Sequence, residues 1–254
     1  MSELLLVERQ DRVVRLVMNR PQKRNALSFA LCRELVDAIG HADRDLSVGA
    51  IVLAANGTCF SAGMDLEEVG GLRPEDISEV HEQLFTMPFR LNKPLIGEID
   101  GAALGGGMGL VANCHIAMAS EQARFGLTEI RLGLWPFLIF RTVLAAVGER
   151  RAVELALTGR IFGPEEAKEL GLIHEVTRDV HVRAMEVAWE LSKSSPTAIR
   201  NGLTFVQEIR GKDWQKAGLI GRRMREEIFS SGDFLEGIRS FREKRLPKWP
   251  SLSQ

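Results

Sequence analysis

Two turns rich in small residues are the places in this sequence where the backbone itself could do chemistry. One is GAALGGGMGL, residues 101–110, and the other is NGTCFSAGMDL, residues 56–66; each follows an apolar run that predicts a buried strand. A glycine turn that opens a helix exposes unpaired N–H groups and the positive end of the helix dipole. If the turns meet, each could give one N–H to one oxyanion, and such a donor is worth about 2.7–4 kcal/mol in a transition state. Tight packing of a helix on a strand also needs small residues, so both interpretations stay open.

The glycine spacing excludes the two common phosphate-binding loops. The dinucleotide pattern G-x-G-x-x-G, started at Gly105, requires glycine where Leu110 stands. A P-loop finds its two glycines at Gly101 and Gly106, but Gly107 and Met108 occupy the positions of its lysine and its serine or threonine. A nucleotide is therefore not the ligand that these glycines predict.

The elements that must position the two turns indicate an α/β chain. Apolar runs predict two strands around a turn at residues 10–12, then strands in GAIVLAANG and KPLIGEIDG, and short strands in HIAMAS and ARFG. Helical spacing predicts a helix after Ser28, a helix opened by Pro74, and a short helix at about residues 106–113, directly after the glycines. The chain to about residue 178 therefore predicts a repeated strand–strand–helix unit.

From residue 179 onward the sequence contains only helical patterns. Four amphipathic segments follow one another, and no linker separates them from the α/β part. We therefore predict two regions, residues 1–178 and residues 179–254. The apolar faces of the second region need partners, and a subunit interface would provide them.

Composition excludes several classes of function. The chain of 254 residues has a net charge of −1, which gives no general attraction to nucleic acid or to an anionic membrane. The uncharged window at residues 101–120 contains Asn113, His115 and the glycines, which favours a buried core segment over a membrane span. Three widely spaced cysteines predict reduced thiols in the cytoplasm, and the spacing of the five histidines predicts no metal site.

Four segments, in this order, resemble the signatures of the enoyl-CoA hydratase/isomerase (crotonase) family: NRPQKRNALS, CFSAGMDLEEV, KPLIGEIDGAALGGGMGLVANCHIAMASEQARFGLTEIRLGLWP and LTGRIFGPEEAKELGLIHEV. The resemblance covers about residues 11–177. It implies a crotonase-like spiral of β-β-α units in residues 1–178, which hold the active site and the CoA groove. It also implies that residues 179–254 form a helical region that packs homotrimers, often paired into hexamers. The implied substrate is an acyl-CoA thioester, with coenzyme A as part of the substrate and no separate cofactor.

Carried onto this sequence, the resemblance implies an oxyanion hole made by the N–H groups of Met64 and Gly106. It implies a CoA groove formed by KRNAL and SAGMDL, in which the nearest residues are Arg24, Ala26, Leu27, Ala62, Asp65 and Leu66. In relatives, a phenylalanine and a lysine near the C terminus reach CoA, commonly from a neighbouring subunit. Phe241 and Lys244 stand at the matching positions.

Two positions decide which reaction the resemblance implies. Hydratases of the familiar type carry glutamate at both, because water addition needs one group to hold the water and another to manage the proton. Here Gly109 stands at the first position, beside the substrate, and Glu129 stands at the second. One glutamate suffices to move a proton from C2 to C4 of a 3-enoyl-CoA, so we expect Δ3,Δ2-enoyl-CoA isomerisation with Glu129 as the single acid/base. Its pKa should be raised by an apolar wall that includes Leu132, Leu134, Trp135 and Phe137.

Other functions stay open at this point. The first alternative is hydration of 2-enoyl-CoA in fatty-acid or related acyl-CoA degradation, and another is a non-catalytic acyl-CoA-binding protein. Decarboxylation and thioester hydrolysis use the same oxyanion hole with other acid/base groups. Glu98 could replace the missing acid if it faced the pocket, but strand alternation does not fix its face, and we expect a structural role for it.

Overall fold

The computed structural model describes residues 4–68, 71 and 73–252. The strands are β1 (Leu5–Gln10), β2 (Val13–Met18), β3 (Ala50–Ala55), β4 (Cys59–Ser61), β5 (Leu95–Ile99), β6 (Ala102–Leu104), β7 (Ile116–Ser120), β8 (Arg124–Gly126) and β9 (Glu175–Thr177). The α-helices are α1 (Phe29–Arg44), α2 (Pro74–Thr86), α3 (Gly106–Asn113), α4 (Phe137–Val147), α5 (Glu149–Thr158), α6 (Pro164–Glu169), α7 (Val180–Ser192), α8 (Pro196–Glu208), α9 (Trp214–Phe229) and α10 (Gly232–Glu243). A short 3-10 helix spans Glu129–Leu132.

The strands form a large sheet and a small one. The six-stranded sheet has the order β1-β2-β3-β5-β7-β9, in which β1 and β2 pair antiparallel and all other neighbours pair parallel. The three-stranded sheet has the order β4-β6-β8 and is parallel throughout. Three successive units therefore repeat one pattern: a strand in the large sheet, a strand in the small sheet, and then a helix.

This repetition positions the chemistry. Parallel neighbours end at the same edge of a sheet, which is where α/β folds hold their ligands. In the small sheet that edge receives the segments after β4, β6 and β8, which are residues 62–64, 105–106 and 127–129. The two small-residue turns and Glu129 are thus brought together by strands of only three residues each.

The core lies on both faces of the large sheet. On one face, α1, α2, α3, α4 and the small sheet bury a single large apolar cluster that contains Phe60, Phe125 and Met108. On the other face, α7 buries residues at helical spacing, including Val180, Ala184 and Ala188, against Val52 and Met118 of the sheet. Helix α7 therefore covers the large sheet and is a layer of the core.

The α/β class and the repeated strand–strand–helix unit predicted from the sequence are confirmed. The helix predicted at residues 106–113 is α3, and the four helical segments after residue 179 are α7 to α10. Because α7 packs on the sheet while α8 and α9 bury none of their residues fully, the division between residues 1–178 and 179–254 stays a prediction, and residues 1–3 and 253–254 of it lie outside the described part. None of the helices described here has the length and apolar character needed to cross a membrane.

Candidate active site

A cavity of about 400 Å³ opens where the strands of the small sheet end. One wall consists of residues 62–64, 105–106 and 128–129, which follow the three strands. The opposite walls come from α2 and from residues 132–139, between the 3-10 helix and the start of α4. Most of the lining is apolar, as expected for a site that holds an acyl chain.

The two small-residue turns meet at this cavity. A Cβ built on Gly63 would lie 2.9 Å from the carbonyl oxygen of Leu104 and 3.1 Å from the nitrogen of Gly106. Gly63 and Gly105 also have φ values of +90° and +51°, which side chains rarely allow. This contact requires glycine at position 63, and it places the turn at residues 61–63 directly against the turn at residues 104–106.

Backbone hydrogen bonds fix the turn at residues 62–65 and leave the expected N–H donors unused. The N–H of Leu27 donates to Gly63 at 2.8 Å, and the N–H of Asp65 donates to Leu27 at 3.3 Å, so Met64 lies between two anchored residues. Within residues 4–68, 71 and 73–252, the N–H groups of Met64 and Gly106 donate to no protein acceptor. Gly106 is also the first residue of α3, where N–H groups have no partner in the helix.

Glu129 lies against the turn at residues 104–106. Its Oε1 would be 3.1 Å from a Cβ on Gly105, while Oε2 is buried and has no hydrogen-bond partner among the described residues. Burial disfavours the charged carboxylate and raises the pKa of Glu129, which a backbone hydrogen bond only partly opposes. A carboxylate in this state is a good proton acceptor beside the oxyanion donors.

The apolar wall expected around Glu129 is present. Leu132, Leu134, Trp135 and Phe137 all line the cavity. Trp135 packs on Phe140 with ring centroids 5.2 Å apart, which fixes it in the wall. Phe137 is 74% exposed and stands at the mouth of the cavity.

Gly109 does not line the cavity. A Cβ at this position would lie 2.4 Å from Cγ2 of Ile139 and 3.2 Å from Cε1 of Phe85. Helix α4 therefore fills the space into which a side chain at position 109 would extend. The place of the second glutamate is occupied by protein, so the cavity has no room for a carboxylate there.

The residues expected in the CoA groove divide into two sets. Leu27, Ala62, Met64 and Leu66 line the cavity. Arg24, Ala26 and Asp65 lie behind the turn: the carbonyl of Arg24 accepts from the N–H of Ala62 at 2.9 Å, and the carboxylate of Asp65 pairs with Arg20 at 2.9 Å. The Arg24 side chain is exposed.

Three other residues from the sequence analysis lie away from the cavity within this chain. Phe241 is 85% exposed and borders a separate apolar groove with Ile238 and Trp249, and Lys244 caps the C terminus of α10. Glu98 is turned to the face covered by α7, where it pairs with Arg15 at 2.6 Å and contacts His181 at 3.2 Å. Glu98 therefore does not supply a second acid to the cavity.

Sequence reasoning missed the polar residues Ser78, His81 and Thr128 of the cavity lining, and His81 is the most buried of them. Helix α2 presents Ile77, His81 and Phe85, spaced four residues apart, to the cavity. His81 is 6% exposed, its Nε2 has no partner in the described part of the chain, and burial lowers its pKa. The helical spacing was readable from the sequence, but the direction in which this face points was not. No three His, Cys, Asp or Glu side chains among the described residues group as a metal site would require.

Comparisons with known proteins show which family and which fold this chain shares. The sequence model of the family described as Enoyl-CoA hydratase/isomerase matches residues 8–252. A 2,3-dehydroadipyl-CoA hydratase of Escherichia coli is 33% identical over 251 residues, which cover 97% of this chain and 98% of that protein. A mevalonyl-coenzyme A hydratase of Aspergillus fumigatus is 31% identical over 246 residues, which cover 93% of this chain and 91% of that protein. The crystal structure of an enoyl-CoA hydratase from Mycobacterium smegmatis has a TM-score of 0.92 at 31% identity and covers 98% of this chain and 99% of that one.

Proposed function

This chain belongs to the enoyl-CoA hydratase/isomerase family, and we propose that Glu129 is the single carboxylate with which it moves protons on an enoyl-CoA thioester. The thioester oxygen binds the N–H groups of Met64 and Gly106, which stabilise the negative charge that develops there. One observation carries the proposal: a buried carboxylate oxygen of Glu129, which has no hydrogen-bond partner among the described residues, lies beside the turn that offers the N–H of Gly106.

The geometry supports isomerisation of a 3-enoyl-CoA to a 2-enoyl-CoA best. The carboxylate of Glu129 removes the proton from C2, and the electrons of that bond form a dienolate whose oxygen rests on the two N–H groups. The same proton is then returned to C4, which moves the double bond into conjugation with the thioester. Glu129 is the only acidic side chain among the described residues that line the cavity, and this reaction needs only one.

Hydration of a 2-enoyl-CoA is the second candidate. The names of the relatives favour it over the isomerisation that the sequence analysis placed first, because the curated relatives described above are hydratases by name. The same names support an enzyme over a non-catalytic acyl-CoA-binding protein. The two relatives are named for different acyl groups, so the feature carried over to this chain is the class of reaction.

We also propose that the chain works in the cytoplasm as a homotrimer or as a hexamer of paired trimers. Support comes from apolar side chains of the C-terminal region, since Trp214, Phe241 and Leu246 are each more than 80% exposed in the single chain. In such an assembly Phe241 and Lys244 would contact the CoA of a neighbouring subunit. This accounts for their distance from the cavity of their own chain.

The test is the variant Glu129→Gln. Incubation with 3-hexenoyl-CoA and with crotonyl-CoA, followed by separation of the products, should give isomerisation, hydration or both for the wild type. We expect the variant to lose about 10²–10⁴-fold in kcat for each reaction seen, the range for removal of an acid/base group. Its Kd for hexanoyl-CoA, measured by calorimetry, should stay within a few-fold of wild type.

Glu82→Gln is the matched control, because Glu82 is an exposed residue of α2 outside the cavity lining. It should leave both activities unchanged. Turnover of Glu129→Gln near the wild-type rate would refute the role of Glu129. Tight binding by the wild type without turnover of either substrate would favour the non-catalytic protein instead.

A further inference from the structure

Besides Glu129, the cavity lining contains a second side chain with a buried polar atom that calls for a ligand. His81 lines the cavity from α2, is 6% exposed, and has an Nε2 that is buried without a hydrogen-bond partner among the described residues. Buried polar atoms are almost always paired, and an unpaired one in a binding cavity points to a partner that arrives with the substrate. Neither the isomerisation nor the oxyanion hole uses this atom.

The surroundings of His81 define what the free nitrogen can do. The backbone of Leu27 acts on the ring as a hydrogen-bond acceptor, and because Nε2 has no partner among the described residues, we assign the proton to Nδ1. Burial lowers the pKa of the ring and so favours its neutral form, and Glu68, whose charge acts weakly on the ring in the opposite sense, already accepts a hydrogen bond from the N–H of Phe29 at 2.7 Å. The Nε2 of a neutral ring protonated at Nδ1 is a bare lone pair, so it accepts a hydrogen bond and donates none.

His81 also lies close to the reacting end of the cavity. Its ring packs edge-on against Phe85, with centroids 6.2 Å apart. Phe85 and Leu27, which both interact with the His81 ring, are also the residues nearest to Gly106, at 3.3 Å and 3.0 Å from a Cβ built there. Glu129 lies on the neighbouring glycine, Gly105. A carboxylate and a neutral imidazole are therefore both held next to the oxyanion turn.

We propose that Nε2 of His81 accepts a hydrogen bond from the oxygen at C3 of the acyl chain. That oxygen belongs to the water that adds in hydration, or to the 3-hydroxyl group that leaves in the reverse direction. The inference rests on the second candidate function, hydration, and assigns to it the group that holds the water.

The assignment gives each hydrogen of the water one partner. One O–H points to Nε2 of His81 and stays on the oxygen, while the other points to the carboxylate of Glu129. The oxygen lone pair forms the bond to C3, the C2–C3 double bond opens toward C2, and the charge moves onto the thioester oxygen. Glu129 takes the second proton and delivers it to C2, which completes the addition of one water molecule. His81 thus does from α2 what a glutamate at position 109 cannot do, because Ile139 fills that space.

The experiment compares hydration of crotonyl-CoA with isomerisation of 3-hexenoyl-CoA in His81→Phe and His81→Gln. Isomerisation needs no water, so the ratio of the two kcat/KM values reports water placement and cancels effects on folding or on CoA binding. We expect the ratio to fall about 10- to 100-fold in His81→Phe, the size of effect that a misplaced reactant produces. The amide oxygen of Gln offers an acceptor near the place of Nε2, so His81→Gln should recover a large part of the loss.

The control is His41→Phe, the same substitution at an exposed residue of α1, which should leave the ratio at its wild-type value. An unchanged ratio in His81→Phe overturns the inference, and so does an equal loss in His81→Gln and His81→Phe. A wild type that isomerises without hydrating overturns it as well, yet leaves the role of Glu129 intact. A wild type that catalyses neither reaction would refute the proposed function itself.

Discussion

At the scale of single residues, the chemistry of the cavity depends on a carboxylate whose ionised form is destabilised by the fold. Glu129 is held in an apolar wall, its Oε2 has no hydrogen-bond partner in the described part of the chain, and its burial raises its pKa. A buried carboxylate whose desolvation outweighs the hydrogen bonding it receives binds a proton more readily than one in water. The same features that lower the stability of the ionised group therefore suit it to accept a proton from carbon or from water.

This cost should be measurable as a dependence of stability on pH. Above the raised pKa of Glu129 the folded protein carries a buried charge that the unfolded chain keeps in water, and this lowers the free energy of unfolding. Glu129→Gln removes the charge, so we expect the variant to be more stable than wild type at about pH 8. As the pH falls through the raised pKa, the folded carboxylate takes up a proton and the stability advantage of the variant shrinks. The advantage disappears once the pH is below 4.5, the ordinary pKa of glutamate in the unfolded chain.

Urea unfolding of both proteins at about pH 8, 6 and 5 measures the difference. The exposed Glu82→Gln control should show no such trend, since its carboxylate is in solvent in both states. A variant that is less stable than wild type at high pH, or an advantage that grows as the pH falls, would contradict the assignment of a strained carboxylate to Glu129.

At the scale of elements, the sequence predicted which segments form the site but not how they meet. Both turns and the helix that begins at Gly106 follow from local patterns, because glycines and helical spacing act over a few residues. Their contact depends on the order β4-β6-β8 of a small sheet whose strands have only three residues each. Strands this short leave almost no periodicity, so their pairing is decided by tertiary packing. His81 was missed for the same reason, since nothing local says toward what a face of α2 points.

The packing of α4 on α3 gives a prediction at this scale. Gly109→Ala introduces a Cβ that would lie 2.4 Å from Cγ2 and 2.7 Å from Cβ of Ile139. Alanine forms helices better than glycine, but overpacking a core typically costs about 1–3 kcal/mol, so we expect a net loss in the free energy of unfolding. Urea denaturation of the variant measures it.

Gly202 provides the matched comparison. It lies within α8, and a Cβ built on it would meet nothing within 4 Å. Gly202→Ala should therefore stabilise the protein by roughly 0.5–1 kcal/mol, the ordinary advantage of alanine inside a helix. If Gly109→Ala were stabilising to the same extent, α4 would have room to move, and a side chain at position 109 could be accommodated after all.

At the scale of the whole molecule, the large sheet has a second face that packs against α7 and contributes no residue to the cavity lining. Helix α7 covers this face with an apolar stripe, and the ion pair of Arg15 with Glu98 lies beside it. The sequence predicted α7 as the first of four similar helices, because all four have the same amphipathic pattern. Only the structure separates α7, which buries its stripe on the sheet, from α8 and α9, whose residues are not fully buried.

Removal of one partner of the buried Arg15–Glu98 pair should destabilise this face strongly. Arg15 on β2 makes two hydrogen bonds to Glu98 on β5, at 2.8 and 2.6 Å, across the intervening strand β3. Both side chains are at least 86% buried, and removing one partner of a buried pair typically costs about 3–5 kcal/mol because the other charge is left without compensation. We expect Arg15→Met to lower the free energy of unfolding by about that amount, and urea denaturation at neutral pH measures it.

The double variant Arg15→Met, Glu98→Leu separates two contributions to the free energy of unfolding. One is the net contribution of the ion pair, and the other is the penalty of leaving one buried charge unpaired. Replacement of both partners by apolar residues is often neutral or stabilising, so the double variant should recover most of the stability that Arg15→Met loses. Arg73→Met provides the surface reference, since the Arg73–Asp76 pair is exposed to solvent and its loss should change little. A double variant as unstable as Arg15→Met would mean that the two groups stabilise the fold through their packing with α7 rather than through their charges. Retention of isomerase or hydratase activity in the folded double variant is also expected, because Glu98 lies on the face of the sheet away from the cavity and takes no part in proton transfer there.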